Sequence, residues 1–153
     1  WMPFLILLLM GTVELSRVTY SYYTLKKILY TVARTAGTQQ GINFCDDADT
    51  NVAAIKALAI TGNVDGTGDP LLPGLTAELI TVRIERYSAD AGALVECTCE
   101  ASATGCDTAQ GARGPDYVVV TLPDGYPITL RIPGIANDPI PLRPHVRLPF
   151  GGT

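Results

Sequence analysis

Four cysteines carry most of the chemistry open to this chain. Cys45 stands alone, whereas Cys97, Cys99 and Cys106 fall close together in the stretch ECTCEASATGC. An even number of cysteines, in a chain whose apolar N-terminal run places it at or beyond a membrane, points to two disulfides. Cys97 and Cys99 stand two apart on an expected strand and so share a face, which sends each to a different partner. The favoured pairing is Cys99 with Cys106, closing a small loop, and Cys45 with Cys97, tying a helix end to a sheet. Zinc is the rival reading, but C-x-C-x6-C lacks the usual C-x2-C knuckles and the single histidine, His145, is remote. No metal site is assigned.

The other polar groups offer less. Asp46-Asp47-Ala48-Asp49 and Asn63-Val64-Asp65-Gly66-Thr67-Gly68-Asp69 hold oxygen ligands of the kind calcium takes. Neither has the closing glutamate of the helix-flanked calcium loop, so solvated turn carboxylates are expected. No Gly-x-Ser-x-Gly elbow, phosphate loop or metal-ligand triplet occurs, and no catalytic residue, cofactor or enzyme activity is expected. Glu14 is the sharpest acid. It lies among Leu and Val, where a carboxylate is costly unless paired, and Arg17 follows one helical turn later.

Charge is divided unevenly. Residues 1–40 carry four basic groups and one acid, net +3, while residues 41–153 carry seven basic groups and fourteen acids, net −7; the sum is the overall −4. An acidic body argues against nucleic acid as a partner.

The elements that position these groups begin with an apolar run, Trp1 to Val13. At about 1.5 Å per residue it makes ~20 Å of helix, short of the ~30 Å core of a bilayer. No basic stretch precedes it and no A-x-A site follows, so it is expected to stay with the mature protein rather than act as a signal peptide. An apolar surface of this size needs lipid or copies of itself to cover it. From Leu15 onward, Leu15, Val18, Tyr22, Leu25, Leu29, Val32 and Ala36 recur at spacings of three and four, one stripe of a continuing helix. Pro3 suits a first turn, and Gly37 and Gly41 mark the end.

A head domain then follows over residues 41–153, after the helical segment 1–40. Asp49-Thr50-Asn51 caps an Ala-rich helix that stops near Gly62. Period-two alternation from Glu78 to Tyr87 predicts a strand, and a second is expected over 93–100. Pro123-Asp124-Gly125 predicts a hairpin between strands at 117–122 and 128–132. The Pro-rich tail from 133 suits an edge strand or strap. The expected fold class is therefore α+β, with a long N-terminal apolar and amphipathic helix, one short helix and a small antiparallel sheet.

This order of features resembles the TadE-like family of tight-adherence pilus proteins, relatives of type IV pilins. The residues that carry the resemblance are Gly11-Thr12-Val13-Glu14-Leu15-Ser16-Arg17, matching G-x-x-E-[FL]-x-R, and Ala33-Arg34-Thr35-Ala36 at the end of the helix. AAIKALA, Pro73-Gly74-Leu75, ITVRI, and the C-x-C with a third Cys before Tyr117-Val-Val-Val also look like the family pattern. One departure is Leu5, where the family carries a further glutamate upstream.

The resemblance implies a pilin-like fold and export, with retention in the inner membrane, contact with the pilus assembly machinery, and incorporation into an extracellular filament on the cell surface. In such a homo-oligomer the helix core would be built from Phe4, Leu5, Leu8 and Leu9, with Glu14, Arg17, Tyr22 and Leu25 pairing and packing between copies. Glu14 then has two readings, an ion pair within its own helix or a contact to a neighbour's Arg17 or Lys26 that sets register. The competing functions are a minor pseudopilin that initiates or tips the filament, and a membrane-anchored extracytoplasmic binding module.

Overall fold

The computed structural model describes residues 1–46, 48–100, 105–131 and 138–151. Helix α1 runs unbroken from Met2 to Thr38, with Pro3 in its first turn where no amide partner is lost. It ends because Gln39 is extended. The end falls between Gly37 and Gly41, as expected, with Gly41 at φ 70°; Gly37, itself still helical, also serves another purpose. A Cβ there would lie 2.9 Å from the Pro149 carbonyl oxygen. The bare backbone lets the C-terminal strand pass close enough for the Gly151 N–H to donate to the Gly37 carbonyl at 2.7 Å.

Helix α2, Thr50–Thr61, has the cap its sequence predicts. The Asp49 carboxylate accepts from the Asn51 N–H at 2.7 Å and, with its other oxygen, from the Asn43 N–H at 2.7 Å. Gly62 closes the helix in the left-handed region at φ 79°, returning its N–H to the Leu58 carbonyl.

Six strands follow: β1 Thr81–Ser88, β2 Ala93–Glu96, β3 Tyr117–Thr121, β4 Tyr126–Ile128, β5 Ile140–Leu142 and β6 His145–Pro149. Four form an antiparallel sheet in the order β2-β1-β3-β6, and β4 pairs with β5 in a separate ribbon. The expected edge strand in the tail is present as β6, in register with β3 from Tyr117 opposite Pro149 to Thr121 opposite His145. The expected hairpin around Pro123-Asp124-Gly125 is corrected. The turn forms, with Gly125 at φ 79° and its N–H on the Leu122 carbonyl, but β3 and β4 do not pair. β3 already has β1 and β6 on its two edges, so the chain leaving the turn finds β5 instead. Ile132, the last residue of the expected second arm, lies outside the described residues, as does the tail segment 133–137.

Alternation sorts the sheet faces. Val118 and Val120 of β3, Ile84 of β1 and Val146 of β6 join Leu25, Leu29, Val32 and Ala36 of α1 in one buried core. α1 packs on β3 and β6 and against α2. On the opposite face Val119 stands in register between Arg83 and Arg147. Those arginines pair with Glu96 at 3.5 Å and Glu85 at 2.9 Å, and Val119 is buried although no second layer covers it among the described elements. The fold is thus α+β, with a long N-terminal helix, a short second helix and a four-stranded antiparallel sheet.

Candidate assembly site

α1 divides by environment, not by backbone. From Met2 to Leu9 every large apolar side chain is more than half exposed, Phe4, Leu5, Leu8 and Leu9 among them. An 18-residue stretch of this helix is apolar enough to cross a membrane, and none of it is buried. Eighteen residues make ~27 Å of helix, close to the ~30 Å hydrocarbon core. The apolar reach is longer than the initial run to Val13 indicates because the helix continues through Glu14 and Arg17, whose charges offset each other.

That pair forms within the helix. The Arg17 guanidinium contacts Glu14 at 3.3 Å and donates from one nitrogen to both carboxylate oxygens. Its other terminal nitrogen donates to the Thr129 carbonyl oxygen at 3.2 Å. Arg17 therefore joins the base of the exposed arm to the β4 end of the head, a contact with no local sequence signal because Thr129 is 112 residues away. The Glu14 side chain retains 12% of its exposure, so the pair is largely withdrawn from water on the acid's side.

The other two expected assembly residues part company. Tyr22 is partly exposed and meets Tyr23 edge to face, ring centroids 6.0 Å apart. Leu25 is fully buried in the protein's own core. Its inclusion among the intersubunit residues is corrected: from Leu25 to Ala36 the stripe is enclosed by the protein's own core, so Leu25 has no surface to offer a neighbour. Leu15, the first residue of the expected stripe, is exposed because the head begins to cover the helix only farther along.

All four cysteines are paired, Cys45 with Cys99 and Cys97 with Cys106. The expected connectivity is therefore corrected, although Cys97 and Cys99 do take different partners. β2 ends at Glu96 rather than 100. The Cys97 N–H still donates to the Ile84 carbonyl at the sheet margin. The returning chain donates from the Cys106 N–H to the Thr98 carbonyl at 3.0 Å, and the Arg86 guanidinium donates to the Gly105 carbonyl. These bonds bring Cys106 alongside Cys97 and leave Cys99 for Cys45. Two disulfides are the chemistry of an oxidising compartment.

The remaining polar groups are held by their own turns. The Asn43 amide foremost, with the Asn51 amide, holds the Asp49 carboxyl below the usual carboxylate range against an opposing effect of burial. In the second acidic loop the Asn63 side-chain amide donates to the Thr67 carbonyl at 2.8 Å. Asp47 lies outside the described residues. Among the described residues no group of three or more His, Cys, Asp and Glu side chains is arranged to hold a metal ion. His145 is exposed on β6. A cleft of about 470 Å³ at the base of the arm is lined by Arg17, Tyr126 and Arg131. There the Tyr126 hydroxyl donates to the Pro73 carbonyl at 2.7 Å. Burial pushes the Tyr126 phenol up, with Arg17 partly opposing.

The chain matches no known family model, no curated protein and no solved structure. Its fold and surface define a class by themselves: a disulfide-bonded α+β head with an uncovered apolar helical arm, long and apolar enough to cross a membrane.

Proposed function

We propose that this chain is a structural pilin-like subunit of the TadE-like kind, which polymerises through α1 into an extracellular filament after a stage in the inner membrane. The observation that carries this reading is the unbroken helix whose opening stretch, Met2 to Val13, is almost wholly apolar and uncovered, while its second half is locked into the head. Apolar area removed from water contributes about 25 cal/mol per Å². Copies bundled by their arms cover that area as lipid does, while the acidic heads face water. The absence of an assembled nucleophile and base in the sequence accords with a structural role.

A second reading has one observation of its own, since a helix able to span a bilayer also suits a simple anchor for an extracytoplasmic binding module. Electron cryomicroscopy of material sheared from producing cells separates the two. The filament reading expects this chain in helical filaments with Leu5 to Val13 at the axis. Recovery only from the membrane pellet, with no filament containing the chain, overturns it in favour of the anchor.

A further inference from the structure

The exposed side of α1, bordered at Tyr20 and Lys27 by a groove of about 310 Å³ against Leu58 and Leu71, has a pattern independent of the arm. Tyr20, Tyr23, Lys27, Tyr30 and Arg34 recur at spacings of three, four, three and four, which places them on one helical face. Leu25, Leu29, Val32 and Ala36 take the opposite, buried side. The tyrosines are 70%, 66% and 50% exposed. Among the described residues neither Lys27 nor Arg34 has an ion-pair partner.

We propose that this stripe seats the acidic head of a second copy of the chain, an inference that rests on the subunit reading above and names the contact outside the arm bundle. Charge complementarity identifies the occupant. The helical segment carries net +3 and residues 41–153 carry net −7, and opposite potentials set register and orientation between partners. Tyrosine rings flanking cations supply apolar area together with hydroxyls and charges, the composition of a protein contact surface.

Lipid covers only the upper end. From Tyr20 to Arg34 the stripe extends ~21 Å along the helix. With the apolar stretch in a bilayer, Tyr20 and Tyr23 reach the headgroups, while Tyr30 and Arg34 stand ~15–21 Å from Tyr20 in water. A helix face that meets a different patch, the head, makes a heterologous contact, and repetition of such a contact builds an open helical array.

The test uses the full chain in the membranes and filaments of producing cells, with photoreactive benzoylphenylalanine in place of Tyr30 and, in a separate variant, Leu8. The expected result at position 30 is a cross-linked dimer whose second peptide comes from residues 41–153. No dimer at position 30, or one joined only through the partner's α1, overturns the proposal. Leu8 reports the arm bundle separately. A Leu8 dimer without a Tyr30 dimer leaves the filament reading standing and removes this contact; a Tyr30 dimer with Leu8 linked only to lipid retains the contact and removes the bundle. Reversing Lys27→Glu and Arg34→Glu together is expected to reduce the Tyr30 dimer about tenfold or more, with Lys27→Arg and Arg34→Lys retaining it. An unchanged dimer in the double reversal overturns the electrostatic basis. Both positions are exposed, and an unchanged thermal melt of the head in each variant shows that folding is intact.

Discussion

The two halves of α1 share one backbone and differ in what surrounds them. Leu5, Leu8 and Leu9 are as apolar as Leu25 and Leu29, yet the first three are open and the last two are enclosed by the sheet and α2. The lower half has a stripe that a single sheet face can cover, with Lys26, Lys27 and Arg34 left outside. The upper half is apolar all round, and no one-sided contact satisfies such a surface. Helicity therefore comes from local sequence in both halves, while stability of the monomer comes from only one. Glu14 and Arg17 mark the junction, since Arg17 holds both the helical acid and the Thr129 carbonyl.

The comparison breaks most sharply under truncation of equivalent leucines. Leu29→Ala opens a cavity in the core and is expected to cost the head about 2–5 kcal/mol, whereas Leu8→Ala leaves head unfolding within about 0.5 kcal/mol. Denaturant titration of both variants in detergent reads this directly; equal losses would mean that the arm is part of the folding unit.

The disulfides sharpen the contrast within the head. Cys45–Cys99 closes a separation of 54 residues and Cys97–Cys106 one of 9. On chain entropy the larger loop contributes about 4 kcal/mol and the smaller about 2.5 kcal/mol. Replacing the Cys45–Cys99 pair with serines should therefore lower the denaturant midpoint more than replacing the other pair, and peptide mapping of the unreduced protein should recover Cys97 linked to Cys106.

The smallest effect tests the loop that ties the end of α1 to α2. Asp49→Ala removes the cap and should cost about 1 kcal/mol of head stability. Because the Asp49 carboxyl titrates below its ordinary value of 3.8 in the folded chain, its contribution is present above that value and is lost as pH falls through the lower folded value. Urea midpoints of wild type and Asp49→Asn should begin to converge below about pH 4 and meet only once the pH is below the folded value; a difference that persists unchanged into stronger acid would contradict this role.

Much of this molecule was legible along the chain. The apolar run, the three-four stripe, the Asp49 cap with its Gly62 stop, and the alternation of β1 are local patterns, and each lies within a few residues of the bonds it predicts. The errors fell where partners are distant. Pro123-Asp124-Gly125 encodes a turn, but whether its flanks pair depends on which edges of β3 are already taken by β1 and β6. Gly37 does stand at the end of α1, as its type predicts, but its second demand, the approach of Pro149 from the far end of the chain, has no local signal.

The candidate site shows the same limit. Composition and periodicity alone determined an exposed apolar arm, an acidic disulfide-bonded head and an ion pair one turn apart at Glu14 and Arg17. Only the tertiary structure decided that Leu25 serves the core, that Arg17 also reaches Thr129, that Cys106 meets Cys97, and which tyrosines and cations remain on the outer face of α1. Those outcomes turn on which surface occupies which space, and occupancy is a property of the packed whole.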